Sequence, residues 1–150
     1  VANPNIYPQL GASSLAHAVS VGSVSLSSAL PTTGVIVTRE EFSKALDLSL
    51  GRAGWLAPKG RAGATKYQLS ANFIEFDQPF TLFNTKIFSE VKYTVNAVPS
   101  GHVVYQQTVK IPCVLGITDV FDADARRIEA MKCSIRENVT HMMRDINSKF

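Results

Sequence analysis

The C-terminal stretch CSIRENVTHMMRDINSKF, from Cys133 to Phe150, holds the densest group of chemically capable side chains in the sequence. Cysteine, histidine and carboxylates are the residue types that bind metal ions and serve as nucleophile, acid or base in catalysis. Apolar residues recur at every third or fourth position through the same stretch, which predicts an amphipathic helix. What these side chains can do therefore depends on where a helix places them.

A helix would spread the polar side chains along its wet side instead of bringing them to one point. Glu137, His141 and Asp145 are spaced four apart and form a row. Cys133 lies about 160° from Ile135, which we take as the centre of the buried stripe. A zinc site needs three or four ligands that converge, so we predict a solvent-exposed helix face and no metal site. The predicted buried stripe consists of Ala125, Ile128, Met131, Ile135, Val139, Met142, Ile146 and Phe150.

The two cysteines, Cys113 and Cys133, raise the question of a disulfide. Cys113 falls on the inward face of the last predicted strand, whereas Cys133 points outward from the last helix. A disulfide needs Cα atoms within about 7 Å of each other, so this geometry favours two free thiols. The alternative is a bridge made through a curled loop at 114–121. Neither cysteine belongs to a CxxC motif or stands beside a histidine, which argues against nucleophilic catalysis.

Sequence motifs for other chemistry are missing. No HExxH, GxxxxGK[ST] or GxGxxG pattern occurs. The carboxylates of FDAD, residues 121–124, are typical of the start of a helix. The sequence Asn138-Val139-Thr140 matches a glycosylation site, but Val139 belongs to the predicted buried stripe. We therefore predict no catalytic residues, no cofactor and no enzymatic activity.

Basic residues gather in the segment GRAGWLAPKGRAGATK, which is rich in glycine and alanine. Together with the net charge of +3 and the pI near 9.0, they suit an anionic partner; the alternative is an ordinary solvated loop. Basic residues elsewhere are scattered, which argues against nucleic-acid binding. No apolar run reaches the roughly 18 residues that a membrane span requires. The candidate anion-binding residues are Arg52, Lys59, Arg61 and Lys66.

The remaining pattern predicts one α+β domain, residues 16–150, after an extended arm at residues 1–15. Thr38 and Glu41 form a capping box for a first helix, from Arg39 to Ala53. Alternating apolar and polar residues predict four strands, with a bulge near Gly22 in the first. The expected architecture is a mostly antiparallel four-stranded sheet with two helices on one face, in the order β-α-β-β-β-α. The last three strands are predicted from Thr65, near Lys86–Val98 and from His102, and the second helix begins near Asp122.

The segments TREEFSKALDLSLGRAGWL, YQLSANFIEFDQPF, VKYTVNA and RRIEAMKCSIRENVTHMMRDI resemble small bacterial envelope lipoproteins. The sequence is most similar to the YajG-like family and, more distantly, to the LptE-like lipopolysaccharide-assembly lipoproteins. The resemblance covers about residues 19–148 and implies a signal peptide and a lipidated cysteine ahead of the domain. It also implies that residues 1–15 are a tether, and it carries no catalytic residues.

We therefore expect a non-enzymatic periplasmic domain, tethered to the outer membrane through a lipid anchor, that binds another envelope component. The partner would be a protein docked edge-on to the sheet or an anionic glycolipid held by the basic loop. The alternative is a domain, either a binding protein or an enzyme, that handles a small molecule or acyl substrate in a cleft between helix and sheet. Phe73, Tyr93, Tyr105 and Trp55 would line that cleft.

Overall fold

The computed structural model describes residues 14–27, 37–61 and 63–150. Most of the predicted arm, residues 1–13, lies outside the described residues. The element order is the predicted β-α-β-β-β-α, and no described helix is long and apolar enough to cross a membrane. The elements are β1 (Val19–Leu26), α1 (Arg39–Arg52), β2 (Tyr67–Asp77), β3 (Asn84–Ala97), β4 (Val103–Gly116) and α2 (Ala123–Lys149).

The four strands form one sheet in the order β1-β2-β3-β4. The pairs β2–β3 and β3–β4 are antiparallel, as predicted, whereas β1 and β2 run parallel. The sheet is therefore mixed, because α1 connects β1 to β2 as a crossover, and parallel strands need one. The predicted bulge in β1 is confirmed by a register shift between Val21 and Val24.

Both helices begin at the predicted caps. The Thr38 hydroxyl accepts from the backbone N–H of Glu41 at 3.1 Å, and the Glu41 carboxylate accepts from the backbone N–H of Thr38 at 2.9 Å. Asp122 accepts from the backbone N–H of Ala125 at 2.8 Å at the start of α2. These bonds satisfy backbone donors that a helix leaves free at its first turn.

The hydrophobic core lies between the helices and one face of the sheet. Side chains that alternate along β2, β3 and β4 meet Phe42, Leu46 and Leu50 of α1, and Ile135 and Met142 of α2. The aromatic residues predicted to line a cleft are instead buried within this packed core. They are Trp55, Phe73, Tyr93 and Tyr105.

Candidate functional site

Cys113 of β4 and Cys133 of α2 form a disulfide, with their Cα atoms 5.8 Å apart. The prediction of two free thiols is wrong. It took Ile135 as the centre of the buried face along the whole helix. In the N-terminal half of α2, however, Ala130, Met131 and Ser134 are buried together with Ile135, so the buried face there is centred to one side of Ile135. Cys133 lies about 100° around the helix from the buried Ser134, compared with about 160° from Ile135, so it is closer to the buried face than predicted.

The buried face of α2 thus shifts around the helix along its length, since buried residues recur every four positions from Ala130 to Ile146 and four residues turn a helix about 40° beyond one full turn. Such a shift keeps a helix in contact with a sheet that twists beneath it. In the N-terminal half of the helix this rotation puts Cys133 on the flank next to β4 instead of on the solvent side. Cys133 is accordingly half-buried and Cys113 is buried. The disulfide ties the helix to the edge strand of the sheet.

A buried polar seam joins α2 to β3 and β4. The Tyr93 hydroxyl donates to Asn138 Oδ1 at 2.8 Å, and Asn138 Nδ2 donates to the carbonyls of Ser89 and Val109, each at 2.9 Å. The Ser134 hydroxyl donates to the Ile111 carbonyl at 2.6 Å. Asn138 is fully buried, so its sequon presents no accessible amide, and its role in the described structure is to fix helix to sheet.

The predicted polar row on α2 is only partly solvated. Glu137 and His141 are exposed, but Asp145 accepts from the Tyr105 hydroxyl at 2.8 Å and from Lys149 Nζ at 3.2 Å. The bond from Tyr105 lowers the pKa of Asp145, and burial raises the pKa of Tyr105. Within residues 14–27, 37–61 and 63–150, no three potential ligands lie close enough together to hold a metal ion.

The backbone of β4 has one side turned toward β3 and one toward an open edge. At the end of β3, the N–H of Ala97 donates toward β4, to His102 O at 2.8 Å, whereas the N–H of the next residue, Val98, donates toward β2, to Lys66 O at 2.9 Å. Odd-numbered residues of β3 therefore face β4. They pair with odd-numbered residues of β4, such as Val91 with Val109, so even-numbered residues of β4 point away from the sheet.

The position of Asn138 agrees with this assignment. Its Nδ2 reaches the carbonyls of both Ser89 and Val109, which is only possible if these carbonyls point toward each other between β3 and β4. The outward N–H and C=O groups of Gln106, Thr108 and Lys110 have no hydrogen-bond partner among the described residues. Pro112 occupies the next outward position and offers no N–H, which blunts that part of the edge.

The opposite edge of the sheet, along β1, is partly covered. The N–H of Val19 donates to Trp55 O at 2.8 Å, and the N–H of Ala57 donates to Val19 O at 2.7 Å. The bulge then interrupts the strand. Within the described part of the chain, the segment Gln106–Lys110 is thus the exposed backbone edge best suited to accept another strand.

A groove of about 380 Å³ runs along this edge between β4 and α2. Polar side chains of α2 line one wall, and backbone and side chains of β4 line the other. Every second side chain of a strand added to β4 would point toward this groove, because strand side chains alternate. The lining residues are Gln107, Thr108, Val109, Lys110, Ile111, His141, Asp145 and Lys149.

The four candidate anion-binding residues lie at the end of the domain where β1 begins. Arg52 ends α1, and Lys59, Arg61 and Lys66 lie in the segment that leads to β2; all four are exposed. This segment bonds to the start of β1 through Lys66 N to Ala18 O at 2.8 Å and through His17 N to Gly54 O at 2.9 Å. Lys59 also lies 3.6 Å from Asp47. We call this surface the basic end.

No family model and no curated protein matches this sequence, but solved structures share its fold. A protein of Xanthomonas campestris described by the family model DUF330 has a TM-score of 0.61 at 12% identity, covering 84% of this chain and 81% of its own. A hypothetical protein of Chlamydia trachomatis has a TM-score of 0.59 at 14% identity, with coverages of 84% and 95%. A candidate lipoprotein of Caulobacter crescentus has a TM-score of 0.54 at 10% identity, with coverages of 96% and 94%.

At such low identity these structures establish the fold alone. The chain shares its architecture with bacterial proteins that include a candidate lipoprotein. This agrees with the lipoprotein-like fold that the sequence motifs imply.

Proposed function

We propose that this chain is the periplasm-facing domain of a bacterial lipoprotein tethered to the outer membrane, and that it binds another envelope protein without catalysing a reaction. The likeness in fold to a candidate lipoprotein supports this placement. So does the disulfide between Cys113 and Cys133, because disulfides persist in oxidising compartments such as the bacterial periplasm. The narrower identity, a YajG-like or LptE-like lipoprotein, stays a prediction.

The open edge of β4 carries the binding part of this proposal. Unpaired N–H and C=O groups at alternate positions are complementary to the backbone of another extended strand. Gln106, Thr108 and Lys110 supply these groups, and the groove beside them would receive side chains of the incoming strand. His141, Asp145 and Lys149 would then select polar side chains at those positions.

A proline in β4 tests strand addition directly. Thr108→Pro removes an outward N–H that the sheet does not use, and Pro112 shows that β4 tolerates proline at an outward position. We expect the variant to fold and to lose partner binding by at least about tenfold, the cost of roughly one or two backbone hydrogen bonds at an interface. Thr108→Val keeps the N–H and serves as the matched control.

The measurement is photocrosslinking in cells from a reactive residue placed at Gln106, whose side chain is exposed on β4. We expect one protein partner to crosslink to the otherwise unchanged chain and to Thr108→Val, and not to Thr108→Pro. Equal crosslinking of all three chains, with equal thermal stability, would contradict binding through this edge.

An anionic glycolipid is the second candidate ligand, because four exposed cations gather at the basic end. The ion pair of Lys59 with Asp47 is solvent-exposed, so a phosphate could displace it at little cost. We expect lipopolysaccharide to bind with an affinity that falls as salt rises and that is lost in Lys59→Glu/Arg61→Glu. Lys92→Glu, on an exposed position of β3, is the control. Binding that is independent of salt would contradict this candidate.

A further inference from the structure

Four large apolar side chains protrude from one end of the molecule. Phe80, Leu82 and Phe83 lie between β2 and β3, and Phe121 lies between β4 and α2. They are 90%, 78%, 75% and 88% exposed, respectively. Single exposed apolar residues are ordinary, but a cluster of large ones marks a surface that is covered when the protein works. We call these four residues the apolar tip.

Arg126 holds the two segments of the apolar tip together. Its Nε donates to the Thr85 hydroxyl at 3.0 Å, and its Nη1 donates to the carbonyls of Val120 at 3.0 Å and Phe121 at 3.2 Å. Thr85 directly follows the first segment and Phe121 belongs to the second. The tip is therefore a preorganised unit and not two independent loops.

The apolar tip lies at the opposite end of the sheet from the basic end. β1 and β2 run parallel, so the segment that follows β2 is far from the start of β1. β3 has 14 residues and so spans about 46 Å at the usual rise of a strand. The tip is thus a surface separate from both the basic end and the middle of the β4 edge.

The charges around the apolar tip decide what kind of surface suits it. Residues 78–84, QPFTLFN, include no charged side chain, so burying this segment desolvates no charge. The charged residues that flank the tip segments in the sequence are Asp77, Lys86, Asp119, Asp122, Asp124, Arg126 and Arg127. Asp119 and Asp122 accept from the backbone N–H groups of Gly116 and Ala125. Because positive and negative side chains both flank the apolar tip, its charge pattern does not favour an anionic surface.

We propose that the apolar tip inserts into the interfacial region of a phospholipid bilayer. A protein partner would need four pockets matched to four protruding side chains, whereas fluid lipid adapts to any convex apolar shape. Aromatic side chains are favoured at the boundary between headgroups and acyl chains. Phe80 and Phe121, the most exposed of the four, insert deepest. This membrane contact goes beyond the proposed strand partner and does not depend on it.

Vesicle flotation with the full chain and zwitterionic phosphatidylcholine vesicles tests the proposal. We expect the chain to float with the vesicles at low and high salt. Phe80→Ser/Phe83→Ser should weaken partitioning by about a hundredfold, roughly tenfold for each large side chain withdrawn. Val103→Ser/Val104→Ser removes exposed apolar residues at the other end of the sheet and should change partitioning by less than about twofold.

A second readout separates insertion from loose adsorption. Phe121→Trp places an indole at the tip, and its fluorescence should shift to shorter wavelength when the same vesicles are added. The proposal is overturned if the unchanged chain does not float with phosphatidylcholine vesicles. It is also overturned if flotation needs anionic lipid and is lost at high salt, because that result would assign membrane contact to the basic end. Neither result would bear on crosslinking at the β4 edge.

Discussion

Asn138 is the residue on which the attachment of α2 to the sheet depends most. Its side chain bonds to Tyr93, Ser89 and Val109 where water does not reach. Asn138→Ala would leave the buried Tyr93 hydroxyl without its acceptor and open a small cavity. We expect a loss of about 2–4 kcal/mol in the free energy of unfolding, measured by urea denaturation.

Asn147→Ala is the matched control, because Asn147 lies on the same helix and its side chain makes no hydrogen bond among the described residues. Its effect should stay within about 0.5 kcal/mol. Equal losses for the two variants would show that the buried seam has no special role in stability.

The Tyr105–Asp145 pair makes stability depend on pH. The hydrogen bond lowers the pKa of Asp145 in the folded state, so below about pH 4 the unfolded chain takes up a proton more readily than the folded one. Tyr105→Phe removes the donor and should cost about 1 kcal/mol at pH 7. This difference between the two chains should shrink as the pH falls from 5 to 3, as measured by urea denaturation at each pH.

Tyr105 also makes stability depend on pH in the alkaline range. Burial raises the pKa of Tyr105, so above about pH 10 the unfolded chain releases the phenolic proton more readily and stability falls as the pH rises. Tyr105→Phe should lack this alkaline component. A difference between the two chains that stays constant from pH 3 to pH 11 would contradict the role of the pair.

Sequence patterns did not predict the hydrogen bonds of Asn138 or the hydrogen bond between Tyr105 and Asp145. Ser134 and Asn138 lie four residues apart on α2, and alternation puts Ser89 on the inward face of β3. A serine on the buried face of a strand, together with two polar residues one turn apart on the last helix, was the sequence signal that could have predicted the buried seam. Side-chain polarity alone assigns Asn138 to the solvent, because a buried polar group is recognised only when its partners are known.

At the scale of elements, the disulfide between β4 and α2 is the strongest local constraint. It joins residues 20 positions apart, and closing a loop of this size in the unfolded chain stabilises the fold by about 3 kcal/mol. Cys113→Ser/Cys133→Ser should lose about this much in the free energy of unfolding. A reducing agent should lower the stability of the unchanged chain equally and leave the double variant unaffected. Insensitivity of the unchanged chain to the reducing agent would contradict the bridge.

Element identity, element order and the antiparallel pairing of β2, β3 and β4 were predictable from the sequence. The direction of β1 and the shift of the buried face along α2 were not. The capping box of Thr38 and Glu41 and the alternation in β3 are local signals, and both are confirmed. Alternation says nothing about whether β1 runs parallel to β2. The rotation of the buried face of α2 depends on the twist of the sheet beneath it, and for this reason the position of Cys133 was predicted wrongly.

At the scale of the molecule, three surfaces are separated along the domain. The basic end lies where β1 begins, the apolar tip lies at the far end of the sheet, and the open edge of β4 lies between them. The sequence identified the four basic residues, because charge is visible in composition. Which edge of the sheet is open could not be predicted from the sequence, because the answer depends on the order of the strands in the sheet. It also depends on which residues of β4 turn their backbone groups away from β3.

The proposed function requires that this domain lie in an oxidising envelope compartment. The decisive measurement is mass spectrometry of the native protein, recovered from the membrane fraction after free thiols have been trapped with an alkylating reagent. We predict that the peptides containing Cys113 and Cys133 are linked and unalkylated, and that the protein carries a lipid-modified N-terminal cysteine ahead of the domain. Alkylated Cys113 and Cys133 in a protein found in the soluble cytosolic fraction would contradict it.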